Sequence, residues 1–315
     1  MLFAADPTAA ESFLQYTIVG LTNGSLFALI ALGYTMVYGI VELINFAHGD
    51  LFMLGGFLAL TILGALGLTA AGASTPLIVL GLVLCFVLCS LFCAGLNVAV
   101  DRVIYKPLRT APKLAPLVSA IGVGMILQNV GLFWGGPQDV NFPNLIPDTN
   151  LLGADSAVRF TYKDLMVVGV TIPLMIALTV FVRYTPLGKA MRATAQNPTA
   201  AQLMGINTDR VIAATFAIGG SLGGAASVIY GLSINTLSYQ MGFQNGLYAF
   251  TAAVLGGIGN IPGAVLGGLL IGLVKSYGSA YGSERWTSAL VFAVLIVILV
   301  FRPSGLLGSR VREKV

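Results

Sequence analysis

Charged residues are scarce in this chain of 315 amino acids: they make up 9% of it, whereas hydrophobic residues make up 57%. A soluble domain carries about 25% charged residues, so this composition excludes an ordinary soluble protein. Histidine is also nearly absent, with His48 as its single example. The mean hydropathy of +0.91 indicates a chain that lies mostly within a membrane.

Long stretches without charge predict helical crossings, because roughly 20 apolar residues span the hydrocarbon core as a helix. These stretches lack the apolar–polar alternation of barrel strands. We therefore predict an all-α polytopic membrane protein with about 8–9 transmembrane helices, including broken or re-entrant segments. The predicted spans are 14–38, 51–70, 76–100, 114–134, 164–183, 211–234, 246–258, 263–278 and 286–302. The pair 246–258 and 263–278, separated by Gly-Asn-Ile-Pro-Gly, is either two crossings or one re-entrant hairpin.

Basic residues are unevenly divided between the two sides of this topology, and an excess of Lys and Arg marks the cytoplasmic side. Twelve of them share one side: Arg102, Lys106, Arg109, Lys113, Arg183, Lys189, Arg192, Arg210, Arg302, Arg310, Arg312 and Lys314. The other side receives Arg159, Lys163 and Arg285 and most of the acids: Asp6, Glu11, Asp139, Asp148, Asp155, Asp164 and Glu284. We expect the N-terminus outside and the C-terminus on the cytoplasmic side of an inner or plasma membrane. The net charge of +4 reflects this bias and gives no reason to expect nucleic-acid binding.

No cleavable signal peptide is expected, because the first 13 residues lack a basic region and include Asp6 and Glu11. The glycine-rich segment at 256–260 is followed by no Lys-Ser/Thr pair, so a Walker phosphate loop is excluded. Residues 1–315 are therefore predicted to form a single transmembrane domain that binds no cofactor of its own. Its largest predicted loops are 137–163 on the periplasmic side and 185–210 on the cytoplasmic side.

Two motifs that suggest chemistry are better explained by packing. Cys85, Cys89 and Cys93 recur every four residues and share one face of a span, where hydrocarbon disfavours the thiolates that bind metals. Gly219-Gly220-Ser221-Leu222-Gly223 matches a nucleophile elbow but lies inside a span and not in a strand–turn–helix. The same glycines fit the G-x-x-x-G spacing of close helix packing. An intramembrane enzyme built on Ser221 is the less favoured alternative.

Polar side chains near the spans mark candidate positions for a path or gate. Glu42, Asn45, His48 and Asp50 cluster between the first two spans, either in a solvated loop or in an ordered turn tucked into the membrane interface. As a proton relay they would serve an ion-coupled secondary transporter, although only Lys275 lies near a span interior, and it can snorkel. Further span amides either line a polar path or hydrogen bond to a neighbouring helix; they are Asn23, Asn97, Gln128 and Asn129.

The basic loop 185–210 has a helical pattern of its own. Asn197 can cap a short helix, Pro198 suits its first position, and Gly205 ends it. Leu203 and Met204 give this helix an apolar end. A simple connector has no need of such a helix, so we expect a partner protein to bind it on the cytosolic side.

Three stretches resemble the branched-chain amino acid permeases of bacterial ABC importers. Ala-Ala-Gln-Leu-Met-Gly-Ile-Asn-Thr-Asp-Arg-Val at 200–211 is similar to their cytoplasmic coupling loop. The segments 21–25 and 39–50 resemble their N-terminal signature, and 252–264 resembles their glycine-rich segment. The resemblance extends from about 14 to 305. One departure is Thr199, which stands where the strict importer pattern has Glu.

The resemblance implies an ABC importer permease fold of the branched-chain amino acid/ribose type. It implies a second homologous permease, two cytosolic ATPase subunits that hold ATP and Mg²⁺, and a periplasmic substrate-binding protein. The substrates would be branched-chain amino acids, although similar permeases carry urea or short amides. The residues expected to couple to the ATPase are Pro198, Thr199, Ala200, Ala201, Gln202, Leu203, Met204 and Gly205. The candidates for the translocation path or gate are Asn23, Asn45, His48, Gly256, Gly257 and Gly259.

Overall fold

The computed structural model describes residues 8–68, 74–109, 111–112, 114–153 and 156–308, and most of them are helical. The helices are α1 (Ala9–Val41), α2 (His48–Ala65), α3 (Thr75–Val100), α4 (Lys106–Leu108), α5 (Leu114–Gly135), α6 (Tyr162–Tyr184), α7 (Pro186–Gln196), α8 (Pro198–Leu203), α9 (Thr208–Ile234), α10 (Met241–Gly256), α11 (Ile261–Tyr281) and α12 (Glu284–Phe301). A π-helical turn, Asp101–Tyr105, joins α3 to α4.

Eight helical stretches in the described part of the chain are long and apolar enough to cross a membrane; they are α1, α2, α3 through α4, α5, α6, α9, α11 and α12. The prediction of an all-α polytopic membrane protein is thus confirmed. Some of the predicted features fall on residues outside the described ranges, namely the end of the span 51–70 and the charges Asp6, Lys113, Asp155, Arg310, Arg312 and Lys314.

Two short strands mark one end of the bundle. β1 (Val140–Asn141) pairs antiparallel with β2 (Thr236–Leu237), so that Val140 lies opposite Leu237. They lie between spans and not within them. We call this the strand end, and the opposite end, which carries α7 and α8, the α8 end.

The hairpin of α10 and α11 connects the two ends. α10 follows β2 at the strand end, and the turn 257–260 that closes it lies beside α7 at the α8 end. With 16 residues, α10 is about 24 Å long. The pair therefore passes through the bundle twice, which favours two crossings over a re-entrant hairpin. α10 also starts at Met241, five residues before the predicted boundary at 246.

Helices α1, α2, α9 and α10 form the centre of the bundle, and most residues of α2, α9, α10 and the apolar stretch of α1 are buried. Around them, α3, α5, α6 and α12 turn apolar side chains outward, such as Leu91, Phe133 and Val300. Such a surface suits lipid chains or a second apolar subunit. The centre of the bundle is thus where any polar site is shielded from lipid.

Small residues bring the central helices close together along two seams. In the α1–α11 seam, a Cβ at Gly272 would overlap the backbone of Gly20 and Gly24. In the α3–α9 seam, a Cβ at Gly220 would overlap the carbonyl of Cys93, and one at Gly224 would overlap that of Cys89. Cys93 Sγ also donates to Leu51 O of α2 at 3.2 Å. The cysteines and the glycines of the Gly-Gly-Ser-Leu-Gly motif therefore pack helix against helix, as the sequence indicates.

Candidate functional site

Local capping explains why α7 and α8 form between two spans. Thr185 Oγ1 accepts a hydrogen bond from Gly188 N at 3.0 Å, and Asn197 Oδ1 accepts one from Ala200 N at 3.0 Å. Proline occupies the first position of each helix, where it removes no intrahelical bond. Gly205, with a φ of +83°, then turns the chain toward α9.

The apolar end of α8 points away from the protein. Leu203 is 84% exposed and Met204 is 83% exposed, whereas Ala201 is 4% exposed. The remaining predicted coupling residues, Pro198, Thr199, Ala200, Gln202 and Gly205, are also exposed. Ala201 therefore seats the helix on the bundle, while Leu203 and Met204 offer an apolar surface to a partner.

Two side chains fasten this segment to the neighbouring spans. Arg192 donates to the carbonyls of Val182 and Arg183 at the end of α6, the second at 2.9 Å. Gln202 Nε2 donates to Thr208 Oγ1 in the first turn of α9 at 2.8 Å. These bonds therefore connect α7 to the end of α6 and α8 to the start of α9.

Arg109 connects the start of α9 to the π-helical turn after α3. Its guanidinium lies 2.6 Å from Asp209 Oδ1 and 2.8 Å from Asp101 Oδ1, and Lys106 Nζ lies 2.8 Å from Asp209 Oδ2. The Asp101 side chain is only 2% exposed, whereas that of Asp209 is 51% exposed. Because π-helical turns are rare and often occur at functional sites, the geometry singles out this ion network.

The same π-helical turn also holds a buried amide network. Tyr105 Oη donates to Ile44 O at 3.1 Å and lies 3.3 Å from Asn45 Oδ1. Asn45 Nδ2 donates to Asn97 Oδ1 at 2.9 Å, and Asn97 Nδ2 donates to Phe216 O at 2.7 Å. These bonds join α3, α9 and the segment 42–47 that precedes α2, so both Asn45 and Asn97 hydrogen bond to neighbouring segments.

Segment 42–47 folds back into the bundle. Glu42 ends α1 in a left-handed conformation with a φ of 56°, and α2 begins at His48. The His48 ring contacts Gly33, eight residues and about 12 Å before the end of α1. This geometry matches an ordered, tucked-in turn and not a solvated loop.

His48 and Asp50 are enclosed by helices and line no described cavity. The side chains are 1% and 3% exposed, and the His48 ring lies edge-on to Tyr34 with centroids 4.8 Å apart. Within the described residues, neither ring nitrogen of His48 has a hydrogen-bond partner, nor has Asp50 Oδ1. Asn23, the remaining amide among the path candidates, lies half-buried on α1, away from this cluster.

The three glycines predicted at a path or gate occupy different surroundings. Gly256 is in backbone contact with Gly263, and Gly257, with a φ of +103°, packs against Leu307 and Gly308. Gly259 lines a cavity of about 880 Å³ at the α8 end, beside Glu42, Arg183 and Arg192. Of the six path candidates, only Gly259 therefore lines this cavity.

The Arg109 ion network was not predicted from the sequence, although the sequence contains one indication of it. Asp101 and Asp209 are acids in regions where basic residues dominate. An acid among several basic residues at a span end indicates a local ion pair. The pairing itself joins residues 100 positions apart, which no local pattern reveals.

These features define the class of the protein: a multi-pass α-helical membrane permease with a short helix exposed at one end of its bundle. The chain belongs to the family described as branched-chain amino acid transport system / permease component, whose model matches residues 16–299.

Several relatives match almost the full length. The chain is 41% identical over 308 residues to the high-affinity branched-chain amino acid transport system permease protein BraD of Pseudomonas aeruginosa, covering 96% of this chain and 98% of that protein. It is 41% identical over 305 residues to the corresponding LivH of Escherichia coli, covering 96% and 98%. A shorter similarity, 30% over 140 residues, joins it to the probable branched-chain amino acid transport permease protein LivM of Methanocaldococcus jannaschii, covering 40% and 41%. No solved structure matches the chain.

Proposed function

We propose that this chain is one of two different permeases in an ATP-driven importer of branched-chain amino acids. The observation that carries the proposal is the 41% identity to BraD and LivH along 96% of the chain. The partial similarity to LivM supports a second, related permease as its partner. A periplasmic binding protein would deliver the substrate, and two cytosolic ATPase subunits would hold ATP and Mg²⁺.

In this proposal the α8 end is cytoplasmic and the strand end is periplasmic. The basic residues Lys106, Arg109, Arg183 and Arg192 lie at the α8 end, as the positive-inside rule requires of a cytoplasmic face. The N-terminus is then periplasmic, the C-terminus is cytoplasmic, and residues 1–315 form one permease domain. Residues 185–210 become the cytoplasmic coupling loop and 137–163 the periplasmic loop.

Labelling with a membrane-impermeant thiol reagent tests this orientation. Met204→Cys and Leu152→Cys place an exposed thiol at the α8 end and at the strand end. The three native cysteines are buried and give little background. We expect the reagent to label Cys at 152 in intact cells with a permeable outer membrane, and at 204 only after the inner membrane is opened. The reverse pattern would invert the topology.

Coupling would pass through α8. An ATPase groove receives Leu203 and Met204, Ala201 seats the helix on the bundle, and closure of the ATPase moves α8. This movement would reach the start of α9 through the bond from Gln202 to Thr208. It would then reach the π-helical turn that holds Asn45 through the pair of Asp209 with Arg109. Asn45, just before α2, and His48, at its start, are thereby positioned to alter the helix packing that gates the path.

A double variant, Leu203→Asp/Met204→Asp, tests the docking surface. We expect leucine uptake by the complete transporter to fall by roughly a hundredfold, because two charges replace apolar anchors of an interface. Membrane levels of the permease should not change, since both side chains are exposed. The matched control is Leu151→Asp/Leu152→Asp, which makes the same change at the strand end.

Capture of the ATPase subunits on the tagged permease should fail in the α8 variant alone. Normal capture and uptake in that variant would refute docking at α8.

To separate the importer from an ion-coupled transporter, uptake is measured with the proton gradient collapsed and ATP maintained. Loss of uptake under that condition would refute the ATP-driven mechanism.

A further inference from the structure

A polar cavity of about 430 Å³ opens between α10, α11 and α12 toward the strand end. It is separate from α8 and from the buried amide network. Its walls include Gln244 and Tyr248 of α10, Lys275 of α11, and Glu284 and Thr287 of α12. Small-molecule sites have cavities of about 300–1,000 Å³ with a few convergent polar groups, so this one is large enough for a small ligand.

Lys275 is held in this cavity between two aromatic rings. Its ammonium lies 5.2 Å from the centroid of Phe27 and 4.8 Å from that of Tyr248. The hydroxyl of Tyr248 is 2.7 Å from Ser288 Oγ, which fixes the ring beneath the cation. Cation–π contact with both rings holds the ammonium at the cavity.

Among the residues that the structure describes, Lys275 takes part in none of the salt bridges. Aromatic faces satisfy a cation only partly, and an ammonium has three N–H donors with which to bind an anion. An ionisable residue among membrane helices is by default a functional-site hypothesis. Lys275 is thus a preorganised receptor for a carboxylate.

Glu284 supplies the opposite charge on the same cavity. It begins α12, two residues after Gly282, which follows the end of α11. Lys275 lies six residues before the end of α11 at Tyr281, so the two charged residues are offset by about 9 Å along the bundle. They form no salt bridge with each other. A ligand that carries both charges would fit between them better than an ion of one sign.

Apolar rings complete the lining. Phe243 of α10 and Phe292 of α12 face the same cavity, beside Leu247. We propose that this cavity binds an α-amino acid zwitterion with an apolar side chain, with its carboxylate on Lys275 and its ammonium on Glu284. The hydrocarbon side chain then lies against Phe243 and Phe292. The assignment rests on the proposed function and names the site at which this subunit meets the substrate.

Direct binding of labelled leucine tests the assignment. The complete transporter is purified in nanodiscs of phosphatidylglycerol, without binding protein or nucleotide, and leucine binding is measured by scintillation proximity. We expect Lys275→Met and Glu284→Gln each to weaken binding by roughly tenfold or more, because each removes one charge-assisted bond. Lys275→Arg should keep most of the affinity, since Arg also binds aromatic faces and carboxylates.

The matched control is Arg285→Met, which removes an exposed cation next to Glu284 that does not line the cavity. Its binding should equal that of the wild type. Leucinamide, which lacks the carboxylate, should compete at least roughly tenfold more weakly than leucine for the wild type. That preference should disappear in Lys275→Met. Stimulation of ATP hydrolysis by the binding protein confirms that each variant is assembled.

Three outcomes would overturn the assignment. In the first, the wild-type transporter binds no leucine. In the second, Lys275→Met and Glu284→Gln bind leucine as well as the wild type does. In the third, the cavity holds phosphatidylethanolamine, whose headgroup is also zwitterionic. Lys275→Met would then lose the copurified lipid but would keep its leucine binding. If the wild type imports leucine in cells while these binding results fail, only the cavity is refuted. If the wild type imports no branched-chain amino acid, the proposed function itself fails.

Discussion

The two ends of α9 are fastened in different ways. At its start, Asp209 pairs with Lys106 and Arg109 while its side chain remains 51% exposed. At its end, Asn235 adopts a left-handed φ of 57° and hydrogen bonds to Lys163, whose side chain is 9% exposed. Phe142 N also donates to Asn235 O at 2.9 Å, next to the paired strands.

The contacts at the two ends differ in how much free energy is needed to break them. Exposed ion pairs contribute only about 0–1 kcal/mol, so Asp209 can release Arg109 at little cost. Backbone pairing and a buried ammonium resist separation much more strongly. A helix that is loosely held at the α8 end and firmly held at the strand end can transmit a pull from α8 while its far end stays in place. Four predictions test this comparison.

The largest effect is expected where α9 crosses α3 between the two ends. Gly224→Leu would force a side chain into the carbonyl of Cys89, so we expect loss of folded protein. Fluorescence-detected size-exclusion chromatography of the tagged permease measures it. Gly95→Leu in α3 is the control, because a Cβ there meets nothing within 4 Å. A monodisperse Gly224→Leu protein would show that the seam is not tight.

Arg109→Gln should destabilise the transporter by about 3 kcal/mol, because it leaves the buried carboxylate of Asp101 without its partner. The melting temperature in detergent would fall accordingly. The double variant Arg109→Gln/Asp101→Asn removes both charges and should recover most of that loss, but it should not recover leucine uptake. Recovery of uptake as well would mean that the network is structural only.

Asp209→Asn should change stability by less than about 1 kcal/mol, since the carboxylate of the two ion pairs that it breaks is 51% exposed. If the α8 end transmits movement through these pairs, uptake should still fall severalfold while ATP hydrolysis continues. The ratio of leucine imported to ATP hydrolysed by proteoliposomes is the relevant quantity. An unchanged ratio would remove Asp209 from the coupling route and leave Gln202–Thr208 as the connection.

The smallest effect concerns how the stability of the strand end depends on pH. The hydrogen bond from Lys163 holds the pKa of Asp148 below its usual value. Because the folded pKa is depressed, the stabilisation is present above the unfolded pKa near 4 and is lost as pH falls through the lower, folded value. It amounts to less than about 1 kcal/mol, since the Asp148 side chain is 49% exposed.

Melting temperatures of the wild type and of Asp148→Asn should therefore differ at pH 7 and converge on acidification. Asp139→Asn, another change of an acid at the strand end, serves as the control and should leave the acid dependence of the wild type intact. A difference between wild type and Asp148→Asn that persists unchanged to pH 3 would contradict the ion pair.

Local chemistry in the sequence predicts α8 well but predicts its surroundings poorly. Asn197, Pro198 and Gly205 act on their own neighbours, so the short helix and its limits follow from the sequence alone. The burial of Ala201 does not, because it depends on which face of α8 meets the bundle. The early start of α10 was missed because Gln244 and Asn245 look like loop residues in the sequence, whereas both lie in the first turns of the helix, where Asn245 Nδ2 donates to Met241 O.

Lys275 shows that the surroundings of a candidate site are also hard to predict from the local sequence. Its sequence neighbours are apolar, which suggests a side chain that extends to the interface. The rings that hold it come from α1 and α10, far away in the chain. Charge-free runs predict the spans because hydrocarbon acts on each helix separately, whereas sites arise from contacts between helices.

The seam between α1 and α11 has a consequence for how the protein is made. Ser276 Oγ donates to Tyr16 O across 260 residues of chain, and Gly20 and Gly24 pack against the same helix. At a synthesis rate of about 5–20 residues per second, the first span waits roughly 13–50 s for this partner to emerge from the ribosome. During that interval its glycine face cannot yet pack against α11. Insertion factors that shelter the first span until the eleventh helix arrives would therefore raise the yield of this permease more than that of a protein whose neighbouring helices pair in order.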